Sequence, residues 1–145
     1  MTETKKIYYG FADGGARNNP GPCACGVVIK NSPTDSLEKA LLAKGKYLGE
    51  DTNNVAEWQG LILCLEEAIA NNYLPIIIKL DSLLVVSQVN NKWKVKAENL
   101  RVYYNRAKVL INNIIAAGSN VSIEHTLRAG NIDADTVVNN VLDNR

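Results

Sequence analysis

The chain has 145 residues, of which 46% are hydrophobic and 21% charged, and its formal net charge is +1 at pH 7. This length fits one domain whose core needs no disulfide or metal for stability, and no apolar run approaches the ~20 residues of a membrane span. The near-zero net charge excludes nucleic-acid binding through overall charge, so such binding requires a local basic patch.

The cysteine pattern favours reduced thiols. The count is odd, at three, and Cys23 and Cys25 are separated by a single residue, which is not the spacing of a zinc site. The first residues lead into a strand and not into the apolar core of a signal peptide. We therefore expect a soluble protein located in the cytoplasm.

The first half of the chain predicts three strands followed by a helix. Alternating apolar residues and turn composition between them favour strands, although the third segment has Ala, Leu and Lys content that also suits a helix. Apolar residues at helical spacing then predict a helix with polar N-cap candidates. The predicted bounds are 5–12, 23–29 and 40–48 for the strands and 52–72 for the helix.

The second half alternates helix and strand. Residues 75–81 are a continuous apolar run that ends on Asp81, a pattern typical of a strand buried on both faces. This order predicts an α/β fold, a mixed sheet with helices on its faces, in a single domain spanning residues 1–145. The other predicted elements are helices over 82–90, 98–117 and 131–142, a strand over 121–126, a basic connector at 91–96 and a loop at 127–130.

Four carboxylates lie at the ends of these elements: Asp13 and Asp81 where strands end, and Glu57 and Asp135 in the first turns of helices. Ligands of α/β sheets bind beyond the carboxyl ends of strands, and we expect the first and fourth strands to be neighbours. Converging carboxylates repel one another unless cations compensate, and oxygen ligands without His or Cys favour Mg²⁺ or Mn²⁺ over zinc. Two such ions ~4 Å apart suit in-line attack on a phosphodiester.

Each carboxylate also has a structural alternative. Asp13 is followed by Gly14, and Asp-Gly is a common hairpin signal, so a turn-capping role is open at this position. Glu57 and Asp135 suit helix N-termini through the helix dipole. The four residues together are therefore stronger evidence for a metal site than any one of them alone.

Four motifs, in this order, resemble those of the type 1 ribonuclease H family. The last is similar to the family pattern R-x-x-N-x-x-A-D. The resemblance implies the ribonuclease H fold, a five-stranded mixed sheet flanked by helices, and hydrolysis of the RNA strand of an RNA–DNA hybrid with two Mg²⁺ or Mn²⁺ ions, leaving 5′-phosphate and 3′-hydroxyl ends. The motifs are DGGARNNPGP at residues 13–22, TNNVAE at 52–57, DSLLVVSQ at 81–88 and RAGNIDAD at 128–135.

The resemblance gives four residues the catalytic, metal-binding positions: Asp13, Glu57, Asp81 and Asp135. Asp133 competes with Asp135 for the last position. Residues two apart on a helix point to nearly opposite faces, so only one of the two can face the site. The family motif favours Asp135, because it follows an Ala and lies four residues after Asn131.

Selectivity for RNA requires groups that read 2′-hydroxyls across the minor groove. The resemblance implies Asn19, Asn53 and Asn54, with Thr52 and the backbone amides near Gly14 and Gly15; for Asn53 and Asn54 helix capping is the alternative. The basic connector is suited to a phosphate backbone, although a solvated loop, or a Trp packed beneath a helix, is also open. Its residues are Lys92, Trp93, Lys94 and Lys96.

Three departures from the family pattern limit the prediction. The loop at 127–130 has no His, and we interpret His125 as structural. The basic protrusion is short, and we expect no separate hybrid-binding domain before the chain. Glu50 stands where some relatives carry an Arg that grips a DNA-strand phosphate. Two alternatives therefore stay open: a nuclease of this fold selective for double-stranded RNA or RNA–DNA junctions, and a non-catalytic hybrid-binding domain. We expect a monomer with no obligate protein partner and no membrane contact.

Overall fold

The first part of the chain forms three successive antiparallel strands. They are β1 (Tyr8–Ala16), β2 (Gly21–Lys30) and β3 (Leu42–Asp51). The computed structural model describes residues 6–145, so Lys5, the start of the predicted first strand, lies outside the described residues. The third segment is a strand and not a helix, because it pairs along its length with β2.

The second part alternates helices and parallel strands, as predicted. Its elements are α1 (Asn53–Ala70), β4 (Ile76–Leu80), α2 (Leu83–Val89), α3 (Glu98–Ala116), β5 (Val121–His125) and α4 (Ile132–Asp143). The sheet order is β3-β2-β1-β4-β5, with β4 parallel to both β1 and β5. The predicted mixed sheet and the predicted pairing of the first and fourth strands are therefore confirmed. A short 3₁₀ turn, Arg128–Gly130, occupies the predicted loop before α4.

Helices cover both faces of the sheet. Ala12 packs in the main core with α1 and α3, whereas the preceding residue, Phe11, packs with Val28 and Ala134 of α4. Because successive side chains of a strand point to opposite faces, α1 and α4 lie on opposite sides of β1. β4 is fully buried on one face only, since its second face carries the half-buried Lys79.

The three cysteines, Cys23, Cys25 and Cys64, are free and buried. Within residues 6–145 no helix is both long enough and apolar enough to cross a membrane.

Candidate active site

Asp13 lies inside β1 and not at its end as predicted. The pairing of β1 with β2 continues as far as Ala16 opposite Cys23, so Gly14 and Gly15 belong to the strand and not to a turn. The pairing with β4, in contrast, stops at Ala12 opposite Leu80. From Asp13 onward, one side of β1 therefore has no partner strand, and the carboxylate lies where the sheet opens.

The start of α1 agrees with the prediction at its cap and differs at Glu57. The N-cap is Thr52, one of the polar candidates, whose Oγ1 accepts a hydrogen bond from Val55 N at 3.2 Å, so the capping alternative for Asn53 and Asn54 is wrong. Glu57 is the fifth residue of α1 and lies in its second turn, not the first. The helix dipole therefore explains the position of Glu57 less well than the sequence indicated.

Two glycines allow α1 to lie directly on the backbone of β1. A Cβ at Gly60 would lie 2.6 Å from the carbonyl oxygen of Asp13, and one at Gly14 would lie 2.2 Å from that of Ala56. Real side chains cannot approach a backbone so closely. This contact brings Glu57, one turn before Gly60, to the same cavity as Asp13.

The other two carboxylates reach the same place from separate elements. Asp81 follows the last residue of β4, and Asp135 lies in the first turn of α4. Together with Asp13 and Glu57 they line a cavity of about 230 Å³. Its remaining lining residues are Gly14, Gly15, Ala16, Arg17, Asn53, Arg128, Val138, Asn139 and Leu142.

Asp133 points away from this cavity. Its Oδ2 lies 2.6 Å from Lys30 Nζ, and it lines a separate small pocket beside Phe11 and Ile132. The structure thus places Asp135, and not Asp133, among the four carboxylates of the cavity.

The electrostatics of the cavity disfavour negative charge. Burial, followed by the carboxylates of Asp81 and Asp135, raises the pKa of Asp13 to about 8, against the lowering effect of a hydrogen bond from the Gly14 amide. Burial and Asp81 also raise the pKa of Glu57, while the Ser82 hydroxyl and Arg128 lower it. The folded chain therefore concentrates carboxylates that it does not fully neutralise.

The cationic side chains near the cavity compensate this charge only weakly. Arg17 is bound to Asp143 at 2.7 Å. The Nε of Arg128 lies 4.0 Å from Asp81 Oδ2, but the Arg128 side chain is 90% exposed, so solvent screens the attraction. The sequence reasoning did not single out Arg128 as a site residue; its place at the head of the last motif was the available signal.

The donor set of the cavity fits a hard divalent cation. It consists of carboxylate oxygens, and no Cys or His lines the cavity, which is the ligand chemistry of Mg²⁺ and Mn²⁺. As the side chains stand, no three His, Cys, Asp or Glu residues within residues 6–145 are arranged closely enough to hold a metal ion.

Two of the predicted recognition residues are tied to the backbone through their amide oxygens. Asn53 Oδ1 accepts a hydrogen bond from Ala16 N at 2.7 Å, and Asn19 Oδ1 accepts one from Asn53 N at 2.9 Å. The side-chain oxygens are therefore engaged, and each amide keeps its NH₂ group as a donor. Asn54, by contrast, is exposed beside them.

The backbone amides of the two glycines face different sides. Arg17 N donates to Pro22 O on the β2 side, and alternation along the strand puts the Gly15 amide on that side as well. The Gly14 amide lies on the cavity side, consistent with its hydrogen bond to the Asp13 carboxylate. Of the two glycines, Gly14 is thus the one that presents its amide to the cavity.

The basic connector lies next to α2 and is held by backbone contacts. Lys92 N and Trp93 N both donate to Ser87 O, at 2.8 and 3.1 Å, and Arg101 Nη2 donates to Val95 O at 3.1 Å. The side chains of the three lysines are exposed, and Trp93 is 48% exposed. Trp93 is therefore not packed beneath a helix; the buried tryptophan is Trp58.

The sequence analysis assigned no contact to two asparagines that support Asp135 and its helix. Asn139 Nδ2 donates to Asp135 Oδ2 at 3.3 Å from one turn further along α4. Asn131, which is buried, donates from Nδ2 to Ala12 O at 2.9 Å, while its Oδ1 has no partner among residues 6–145. The spacing of four residues from Asp135 was the available signal for both.

Comparison with known proteins gives a consistent result. A family model described as reverse transcriptase-like matches residues 11–141. Bifunctional protein Rv2228c of Mycobacterium tuberculosis is 36% identical over 133 residues, which are 91% of this chain and 34% of that protein. Ribonuclease HI of Halobacterium salinarum is 33% identical over 135 residues, 93% of this chain and 64% of that protein. The chain thus spans about one third of the length of the first of these relatives.

Two solved structures have the same arrangement of elements. The crystal structure of RNase H1 from Halobacterium salinarum gives a TM-score of 0.86 at 33% identity and covers 96% of this chain and 99% of that one. The structure of LC11-RNase H1 in complex with an RNA/DNA hybrid gives a TM-score of 0.80 at 34% identity, covering 94% and 96% of the two chains.

Proposed function

The chain belongs to the type 1 ribonuclease H family, and from this premise we propose that it is an endonuclease that hydrolyses the RNA strand of RNA–DNA hybrids, leaving 5′-phosphate and 3′-hydroxyl ends. The observation that carries the proposal is the convergence of Asp13, Glu57, Asp81 and Asp135 on one cavity. The raised pKa of Asp13 supports it, because a carboxylate cluster that destabilises its own charge is suited to cations.

Asp13, Glu57, Asp81 and Asp135 would hold two Mg²⁺ or Mn²⁺ ions, which when bound supply activation of water and neutralisation of the charge that develops on the leaving oxygen. The protein provides no nucleophile of its own in this proposal. The carboxylates act by holding their positions on four different elements. Arg128, highly exposed at the mouth of the cavity, is placed to attract the phosphate backbone.

Recognition of the RNA strand falls to the surface beside Asp13. Asn19 and Asn53 keep their NH₂ groups as hydrogen-bond donors because the backbone engages their oxygens, and a 2′-hydroxyl accepts such a bond. Gly14 adds a backbone amide on the cavity side, whereas the Gly15 amide is directed into the sheet. We propose that the asparagine amides distinguish RNA from DNA, with Asn54 and Thr52 bordering the same surface.

The basic connector would bind the second strand through its phosphates. α2 links Asp81 to this connector over seven residues, about 10 Å of helix. Lys92, Lys94 and Lys96 can track a phosphate backbone at that distance from the carboxylates. The half-exposed Trp93 offers a flat apolar surface to a sugar or base.

One side-by-side assay tests the activity. Hybrid, double-stranded RNA, DNA duplex and an RNA–DNA junction are incubated with the protein in Mg²⁺, in Mn²⁺ and in EDTA. We expect cleavage of the hybrid RNA strand with either ion and none in EDTA, and loss of cleavage in Asp81→Asn. Intact cleavage by Asp81→Asn would contradict the role of the carboxylates, and hybrid binding without cleavage by the wild-type protein would favour a non-catalytic hybrid-binding domain.

A second substrate class is favoured by one observation. Glu50 is exposed on β3 opposite Pro22, and Asp51 follows it with its Oδ1 on Thr52 N at 2.8 Å. Two carboxylates thus precede α1, where a cation would grip a DNA phosphate. Relaxed choice between hybrid and double-stranded RNA is the second candidate function, and the same assay separates the two. A cytoplasmic location and a monomeric state stay predictions.

A further inference from the structure

A buried ammonium group lies behind the first turn of α4. Lys30, the last residue of β2, is only 5% exposed; its Nζ lies 2.6 Å from Asp133 Oδ2 and 5.0 Å from the centre of the Phe11 ring. In the other four ion pairs within residues 6–145, the cationic side chain is at least 42% exposed. This pair is therefore the one that solvent screens least.

The pair is connected to the carboxylate cavity through the geometry of α4. Asp133 and Asp135 are two residues apart, about 200° around the helix, so Asp133 faces Lys30 at the end of β2 while Asp135 faces the cavity. A rotation of the first turn that released Asp133 would carry Asp135 with it. Ala134, between them, is fully buried against Phe11 and Val28, which leaves the turn little room to adjust otherwise.

Two contacts hold the first turn of α4 against the sheet. The Lys30–Asp133 ion pair does so at the end of β2. The hydrogen bond from Asn131 Nδ2 to Ala12 O restrains the same turn, one residue before Asp13.

We propose that Lys30 is a positioning residue: by holding Asp133, it fixes the rotation of α4 and thereby the distance between Asp135 and Asp13 at which a divalent cation is bound. This inference rests on the proposed function. Lys30 touches neither substrate nor cation and acts only through Asp133. Groups that orient metal ligands from outside commonly alter metal affinity about 10–100-fold when removed.

The test compares Mn²⁺ affinity among variants of the full chain by isothermal titration calorimetry, with Mn²⁺ alone and no nucleic acid. Lys30→Met keeps the length of the side chain but removes the charge, and leaves behind Asp133, which solvent reaches at 32% exposure. We expect Mn²⁺ binding to weaken about tenfold. The KM for hybrid at saturating Mn²⁺ should stay unchanged, since the recognition asparagines lie elsewhere.

Two further variants separate positioning from general loss of stability. The double variant Lys30→Met/Asp133→Asn leaves no charge in the pair. Its Mn²⁺ affinity should equal that of Lys30→Met, because the two substitutions remove the same interaction. It also replaces Lys30→Met if that variant fails to fold. Leu110→Ala, a substitution on α3 in the main hydrophobic core, should lower the stability of the protein yet leave its Mn²⁺ affinity at the wild-type value.

The outcomes are distinguishable. Wild-type protein that neither binds Mn²⁺ nor cleaves hybrid overturns the proposed function, and this inference with it. Wild-type protein that does both, with Lys30→Met or the double variant binding Mn²⁺ within twofold of it, overturns this inference alone. Equal weakening in Leu110→Ala would also overturn it, because the effect would then follow from stability.

Discussion

Gly60→Ala is expected to displace the Glu57 carboxylate without altering any charged group. The added Cβ would lie 2.6 Å from the Asp13 carbonyl oxygen and 3.2 Å from its carbon, against 3.4 Å or more for ordinary contact. Both near atoms are backbone of a central strand, so α1 must retreat by roughly 1 Å. Glu57, three residues earlier on the same helix, retreats with it, and a misplacement of about 1 Å at a reacting site costs on the order of 100-fold in rate.

The effect on stability is expected to be much smaller than the effect on rate. Overpacking costs about 1–3 kcal/mol, and the better helix propensity of Ala returns up to about 1 kcal/mol. The assay is kcat for hybrid cleavage at saturating Mg²⁺, together with urea unfolding of the same preparation. We expect kcat to fall about 100-fold while the unfolding free energy falls by no more than about 2 kcal/mol.

Gly10→Ala is the matched control at the same interface of β1 and α1. Its Cβ would meet the Cys64 Sγ at 2.8 Å, the Ile76 Cδ1 at 3.1 Å and the Ile78 Cγ1 at 3.3 Å. These are side-chain atoms, which can shift without moving the helix backbone. Gly10→Ala should therefore lose stability but keep kcat. Unchanged kcat in Gly60→Ala, or equal losses in both variants, would refute the reasoning that this contact sets the position of Glu57.

Three other predictions follow from the charges and hydrogen bonds. The pKa of Asp13 rises from an ordinary 3.8 to about 8, so between these pH values the folded state binds a proton that the unfolded chain has lost. The Tm of the wild-type protein in EDTA should therefore fall as the pH rises through this window. Asp13→Asn should flatten this dependence of Tm on pH. Parallel curves would contradict the shift. Asn53→Asp keeps its acceptor but loses its donors, so KM for hybrid should rise with little change in Tm, whereas Asn18→Asp, which adds the same charge nearby, should raise KM less. Lys94→Gln should reduce the salt slope of hybrid affinity by about 0.9, and Glu50→Arg should steepen it by as much; unchanged slopes would remove both residues from the phosphate interface.

The order of the elements was predictable because local patterns determine it. The apolar run before Asp81 predicts an inner strand, and the helical spacing after Thr52 predicts α1; both are confirmed. The end of β1 was predicted wrongly, since Gly14 and Gly15 have turn composition. They are extended because residues 23–25 of β2 continue to pair with them, and such pairing is a tertiary effect that composition does not show.

The fine structure of the site depends on contacts between distant residues. Helical geometry alone says that Asp133 and Asp135 face opposite ways, but not which of them faces the cavity. Lys30, 103 residues earlier in the chain, binds Asp133 and leaves Asp135 on the cavity side. Likewise the engaged oxygens of Asn19 and Asn53, which leave both residues as donors, follow from the fold and not from the local sequence.

The cost of assembling the carboxylates is borne by the folded state. Unfolding returns Asp13 to water and separates it from Asp81 and Asp135, so the metal-free site lowers stability. The backbone contact at Gly60 and the Lys30–Asp133 pair hold the carboxylates together in the folded state. A cation that binds only the folded chain reverses this effect by RT ln(1 + [L]/Kd), about 2.7 kcal/mol at a concentration 100 times Kd. Replacing one of these carboxylates by an uncharged side chain should therefore make the protein more stable than wild type in EDTA and less stable than wild type in Mn²⁺. This reversal in the order of stability is expected of a site selected for cation binding, because carboxylates selected only for stability would not lie where they repel one another.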